Sequence, residues 1–244
     1  MPAADPLAWL SSLEGVPSGF AAARDGVDAM LRDRGLRRTT PEQTAESLLR
    51  GAHASAVLEG SGSTLDQVRD GAGDEVAQAA LRVSAELLSL VPVLARSPLQ
   101  AFARLHALAG AGDLDEDRLG RPVSGTAAER IGTLAQTLLS TSVPAMSVAA
   151  VAHAELATVS PFASHNGIVA RAVERLLLVS RGVDPASLVV PEAGHLALRP
   201  EYESNLRGYR NGGRAGVHAW LLYAAEAYAR GAESSPLQDP PDHR

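Results

Sequence analysis

The sequence predicts an all-α protein built as a helical bundle, on three observations. Apolar residues recur at helical spacing through most of the chain. Capping residues and prolines open one run after another. No stretch alternates polar and apolar residues for more than a few positions. At 244 residues and 45% hydrophobic content, the chain can bury one sizeable core.

Residues 1–39 read as an N-terminal arm of loose chain or short helices, anchored by Trp9, Leu10, Leu13 and Phe20. Thr40-Pro41-Glu42-Gln43 then opens a helix: Thr40 caps, Pro41 takes the first turn, and Gln43 bonds back to the cap. Ala45, Leu48, Leu49, Ala52 and Ala56 share its apolar face, and Gly60 ends it. Val76, Ala80, Val83, Leu87 and Leu90 make one face of a further helix that ends near Pro92. Ser97-Pro98-Leu99-Gln100 repeats the capping signal for a helix reaching Leu108 and stopping at Gly110. Thr126 and Glu129 form a capping box ahead of Ile131, Leu134 and Leu138. Helices over about 148–156 and 167–181, the second closed by Gly182, flank a short loop. A late helix, 217–230, carries Trp220, Leu221, Tyr223 and Tyr228. The main domain is therefore 40–231, with a Pro- and Asp-rich tail, 232–244, expected to fray.

Composition excludes several chemistries. All 22 basic residues are Arg, which removes any Walker-type Lys, Schiff-base Lys or Lys general base. The same bias fits a bacterial genome rich in G and C. With no Cys there is no disulfide, thiolate metal site or Cys nucleophile. A formal charge of -6 gives no electrostatic case for nucleic acid or an anionic membrane as partner. No basic leader and no run of about 18 apolar residues is visible, so a cytoplasmic protein is expected.

The loop between the two flanked helices reads Ser160-Pro161-Phe162-Ala163-Ser164-His165-Asn166-Gly167-Ile168-Val169-Ala170-Arg171. A loop entering a helix at Asn-Gly is a natural anion cradle, because the helix start presents unpaired N–H groups and positive dipole. Arg171, one turn into the helix, projects toward the same mouth. This stretch resembles the signature loop of the Fic (Fido) family, H-P-F-x-[D/E]-G-N-G-R-x-x-R. Pro161, Phe162, Asn166, Gly167 and Arg171 keep the pattern, which is five of its nine specified positions.

The resemblance implies a Fic-like bundle with room for a small flap between helices. It implies transfer of AMP, or another part of a nucleotide, onto a protein hydroxyl, with Arg171 as the phosphate-binding second Arg. The departures fall on the chemistry. Ser160 replaces the catalytic His, and a hydroxyl cannot act as base without a base of its own. Ser164 replaces the carboxylate that holds the metal, so Mg2+ loses its ligand. His165 replaces the first Gly, and Ile168 removes one cationic donor.

Upstream, Ser55-Ala56-Val57-Leu58-Glu59-Gly60 resembles the family's inhibitory segment, [S/T]-x-x-x-E-[G/N]. Spacing of four puts Ser55 and Glu59 on one helical face. The resemblance implies a regulatory pair, Glu59 against Arg171, that blocks productive placement of ATP. Leu105-His106, Gly120-Arg121-Pro122 and Ala152-His153 extend the likeness over about residues 40 to 230.

The expected function is that of a Fic-like regulatory or pseudoenzyme protein lacking ordinary AMP transfer. It would bind ATP, another nucleotide or an anion at Ser164, Asn166, Gly167 and Arg171, and act through a protein partner or self-association as a homo-oligomer. One alternative is an active adenylyltransferase-type enzyme using His165 or Ser160. Another is a purely structural helical module. Asp113-Leu114-Asp115-Glu116-Asp117 starts like a calcium loop, but Arg118 and Ser124 break the pattern. His53, His106, His195, His218 and His243 are scattered, and no zinc motif links them. Arg207, Arg210 and Arg214 with Tyr202 and Tyr209 form a small basic-aromatic patch.

Overall fold

The protein is described by a computed structural model over residues 5–34 and 39–239. Among the described residues there is no strand, and helices account for nearly all of the regular structure. Helix α1 spans Val16–Arg34, α2 Pro41–Leu58, α3 Leu65–Arg69, α4 Glu75–Glu86, α5 Val91–Arg96 and α6 Pro98–Gly110. Then follow α7 Gly125–Ser140, α8 Ala145–Val159, α9 Asn166–Ser180, α10 Pro191–Ala197, α11 Arg199–Asn211 and α12 Gly213–Glu233.

The centre is the α8–α9 hairpin, whose connection is the signature loop. Helix α8 is mostly apolar and buries every residue from Met146 to Leu156 except Glu155, so neighbours cover nearly all of its surface. Helices α2, α4, α5 and α6 pack against α9. Helices α7, α11 and α12 pack against α8. The cap of α2 forms as its sequence demands: the Thr40 hydroxyl accepts from Gln43 N–H, and the Gln43 side chain accepts from Thr40 N–H. Glu59 is the C-cap of α2, and Gly60 follows at φ 96°.

Several details differ from the sequence reading. The described part of the N-terminal segment, expected as loose chain or short helices, buries its expected anchors Leu10, Leu13 and Phe20, but holds the 19-residue α1, which lies against α12 and also buries Val16, Ala23, Val27, Met30 and Leu31. At the other end Ser235 and Leu237 are buried and Asp239 pairs with Arg50, so packed chain runs through the start of the expected tail. Residues 240–244 lie outside the described residues. Ser97 precedes α6 but its side chain makes no cap: its backbone sits at ψ 79°, where Thr40, also followed by Pro, caps α2 from the extended ψ of 155°. The cap of α7 is Ser124, whose hydroxyl accepts from Ala127 N–H, two residues before the expected box. Pro92 begins α5 after a 3-10 turn, Leu87–Leu90, instead of ending a helix.

The stretch Glu75–Arg96 is long and apolar enough, by composition, to cross a membrane. It bends at that turn and sends Ala77, Ala80, Val83, Leu87, Leu90 and Leu94 into the core. The connection from α6 to α7 forms no hairpin flap among the described residues. Its last residues are pinned twice: Gly120 N–H donates to His106 Nδ1 at 2.9 Å, and Val123 N–H donates to the Pro161 carbonyl at 2.8 Å.

Candidate anion site at the signature loop

The loop is held in shape by its own side chains. Asn166 Oδ1 accepts from Phe162 N–H, and Asn166 Nδ2 donates to the Phe162 carbonyl, both at 2.9 Å. The Asn166 side chain, expected to face an anion, is thus spent as the loop's brace. Phe162 is buried and stacks on His106 with ring centroids 4.4 Å apart and planes within 8°. Burial, helped by the charges of His165 and Arg118, pushes His106 down to about 4.

Two non-Gly residues of the loop adopt left-handed backbone, Ser160 at φ 49° as C-cap of α8 and His165 at φ 56° as N-cap of α9. In α9 the first bond of the ladder is Val169 N–H to the His165 carbonyl at 3.0 Å. The N–H groups of Asn166, Gly167 and Ile168 precede it and lie beyond the ladder.

The Glu59 carboxylate lies against Gly167 in the first turn of α9. A Cβ on Gly167 would collide with Glu59 Oε1 and come within 2.9 Å of its Cδ and 3.2 Å of Arg171 Nη1. Only a residue without a side chain leaves room for a carboxylate there. Arg171 is buried at 1% exposure, and four hydrogen bonds fix it. Nη2 donates to Glu59 Oε1 at 2.7 Å and to the Ser55 carbonyl at 3.1 Å. Nε donates to Ser55 Oγ at 2.9 Å, and Nη1 to Tyr202 Oη at 3.0 Å. Burial opposes the Arg171 charge, but Tyr202 and Glu59 outweigh it and its pKa is raised.

The structure therefore brings Ser55, Glu59, Gly167 and Arg171 together. Among the described residues, Ser160 donates only to the Ala157 carbonyl, at 3.2 Å, and has no base at hydrogen-bond distance. His165 turns to Asp113, Nε2 to Oδ2 at 3.1 Å. Ile168 is buried in the core side of α9, where it lines a cavity of about 20 Å³ with Ser55, Leu87 and Ala172. Ser164 Oγ is buried without a hydrogen-bond partner among the described residues.

These residues do not fit a Mg2+ ion. The position of the metal-holding acid is a neutral hydroxyl, and the carboxylates bonded to this region are committed, Glu59 to Arg171 and Asp113 to His165.

A second arginine repeats the arrangement one turn along. Arg175 is likewise buried and donates to Ser47 and Ser187, side chain and carbonyl of each, and to Glu192 Oε2 at 3.0 Å. So α2 is fastened to α9 twice, Ser55 and Glu59 on Arg171, Ser47 and the α10 residue Glu192 on Arg175.

Sequence reasoning missed the polar cluster behind Arg171. Among the described residues, His153, Glu174 and His195 are all fully buried, with possible ligand atoms within 4.8 Å of one another. Glu174 Oε2 takes both imidazoles, His153 Nδ1 and His195 Nε2, each at 2.9 Å, and Oε1 accepts from Tyr228 Oη at 2.9 Å. His153 Nε2 meets Tyr202 Oη at 3.0 Å, and His195 Nδ1 meets Tyr223 Oη at 2.8 Å. Burial pushes His153 down to about 4 despite Glu174. Burial works to raise the Glu174 pKa, yet His153 and His195 hold it below the ordinary carboxylate value. Each imidazole thus spends its facing nitrogen on the carboxylate. A cation there would have to displace two N–H protons from a network already satisfied. His153 alone carried a signal, its place seven residues before Ser160.

No protein-family model matches the chain, and no curated protein matches it. Solved structures do. A Fic family protein from Desulfovibrio desulfuricans G20 superposes with a TM-score of 0.74 at 18% identity, over 91% of this chain and 74% of its own. Fic-1 from C. elegans superposes at 0.69 and 16% identity, over 89% and 71%. A variant of the same C. elegans protein gives 0.65 and 18%, over 87% and 70%. At these identities the likeness establishes architecture and leaves chemistry to the residues in place. The chain has the all-α fold of Fic proteins, with its own Glu59 bonded to Arg171 beside the α8–α9 loop.

Proposed function

We propose that this protein is a regulatory, pseudoenzyme-like Fic-fold protein that binds the phosphate groups of a nucleotide at the start of α9, with Glu59 as the competing internal anion. The observation that carries this reading is the seat of the Glu59 carboxylate, bonded to Arg171 and occupying the space that Gly167 leaves open. A phosphate oxygen would take the same Arg171 N–H and the same space beside Gly167, and the N–H groups at the start of α9 would add to them. ATP or another nucleotide is the ligand proposed, bound without a metal at Ser164. The loop supports binding more than transfer, because Ser160 lacks a base and Ser164 lacks a charge. Its output would then pass through a protein partner or a second copy.

Calorimetric titration of ATP, with and without magnesium, into the wild-type protein and the Glu59→Gly variant tests the reading. Binding should strengthen at least tenfold in Glu59→Gly and vanish on further Arg171→Ala, with magnesium making little difference. No heat in Glu59→Gly would overturn it.

One observation favours a second reading, an active transferase. Asp113 holds His165 by one ring nitrogen and the other has no partner among the described residues, which is the arrangement of a general base and its orienting carboxylate. Turnover of ATP with a protein acceptor that is lost in both His165→Ala and Asp113→Asn would establish that reading in place of the first.

A further inference from the structure

Arg171 reaches the core through a chain of hydrogen bonds whose direction is set at one end. An ionised Glu174 can only accept. His153 Nδ1 therefore carries the proton that it shares with Glu174 Oε2 at 2.9 Å. A neutral imidazole protonated at Nδ1 has only a lone pair at Nε2, so Tyr202 must donate its hydroxyl proton there, across 3.0 Å. The lone pairs of Tyr202 Oη are then left for the Arg171 Nη1–H, again at 3.0 Å. Reversing any one of these bonds leaves a buried donor facing a donor. His195 and Tyr228 complete the acceptance at Glu174, and neither touches Arg171.

We propose that Glu174, acting through His153 and Tyr202, positions the Arg171 guanidinium for a phosphate-bearing ligand. The proposal rests on the nucleotide reading given above and extends it to three residues outside the loop. Of the four bonds on Arg171, the one to Glu59 is the contact that a ligand would replace. Those to Ser55 and Tyr202 remain, and they keep one Nη2–H aimed at the mouth. Ser55 holds the Nε edge from α2. Tyr202 holds Nη1 from α11, and with it the rotation of the guanidinium plane about that edge. The chain thus does for Arg171 what an outer-shell carboxylate does for a ligating His: it fixes an orientation before the ligand arrives.

The test compares two chemically identical changes. Tyr202→Phe removes the hydroxyl on the path, and Tyr228→Phe removes one bonded to the same carboxylate but off the path. Each keeps the aromatic ring and the packing. In the Glu59→Gly background, Tyr202→Phe should weaken ATP binding about tenfold or more, the scale of a lost hydrogen bond to a charged group. Tyr228→Phe should lower thermal stability comparably and leave affinity within about twofold. Equal loss of affinity in both variants, or no loss in Tyr202→Phe, overturns the proposal.

A second readout does not depend on the nucleotide. In the otherwise unmodified protein, the 15N-labelled Arg171 Nε–H and Nη–H signals should broaden and exchange faster in Tyr202→Phe, and stay as they are in Tyr228→Phe. If Glu59→Gly binds no ATP yet the Arg171 signals respond this way, the nucleotide reading fails and the positioning of Arg171 stands. Unchanged Arg171 signals in Tyr202→Phe sink the positioning itself.

Discussion

Gly167 is the residue on which the site turns. Its missing side chain admits the Glu59 carboxylate, and by the same token would admit a phosphate. Gly167→Ala is therefore expected to act differently from Glu59→Gly. The added methyl group pushes Glu59 off Arg171 at small cost, since a flexible carboxylate end can swing away, and it also fills the cradle. Stability should fall by about 1 kcal/mol, and ATP should bind neither Gly167→Ala nor the double variant with Glu59→Gly. Calorimetry beside urea unfolding checks both, and tight ATP binding by Gly167→Ala would place the phosphate site elsewhere. The sequence showed this much because Gly167 and Arg171 sit about one helical turn apart, where spacing alone fixes proximity. It could not show that Asn166 is spent on Phe162, nor that Tyr202 and His195 close around Arg171 and His153. Those contacts join α8, α9, α10 and α11, and no local pattern encodes a hydroxyl arriving from 31 residues away.

At the scale of elements, the clamp at Arg175 says more about α2 than the cap at its start. Gly51 lies where a Cβ would collide with Arg175 Nη1 and approach Glu192 Oε2 to 2.9 Å. Gly51→Ala should part that buried ion pair and destabilise the fold by about 3 kcal/mol, read from urea midpoints. Thr40→Ala, which loses an exposed capping box, should cost about 1 kcal/mol. A Gly51→Ala protein as stable as the parent would mean that the pair repacks freely. The sequence made helix starts legible where Ser or Thr precedes Pro or a Gln at the third position, as at Thr40. It misled at Ser97 because the same letters do not oblige the hydroxyl to turn back. It missed the weight of α1 because Phe20, Val27 and Met30 are sparse anchors among Ala and Gly, and only the facing surface of α12 reveals their burial.

For the whole molecule, buried neutral histidines link stability to pH. His153 and His106 both fall from the ordinary 6.5 to about 4. Between those values the unfolded chain binds protons that the folded chain refuses, so stability drops as pH falls from 6.5 toward 4. Each histidine contributes a slope of about 1.4 kcal/mol per pH unit. Glu174 adds to the same trend below its ordinary 4.5, because its folded pKa is depressed and its stabilisation is lost progressively as pH falls from there toward that lower value. Urea midpoints should therefore decline steadily from pH 7 to pH 4. A flat profile over that range would mean that these imidazoles take up protons in place.

The double fastening of α2 has a consequence for how any ligand must compete. Helix α2 is held by Arg175 at one end and Arg171 at the other, so Glu59 is an anion tethered beside its own receptor. A tethered group behaves as though dissolved at an effective concentration of order millimolar or above, however dilute the protein. Under the proposed function, a free nucleotide would meet a threshold set by chain geometry instead of a vacant site. Response to its concentration is shifted upward as a whole and not reduced in height. Lengthening the segment that carries Glu59, for example by a glycine inserted after Leu58, should lower that threshold without altering a single atom of the cradle.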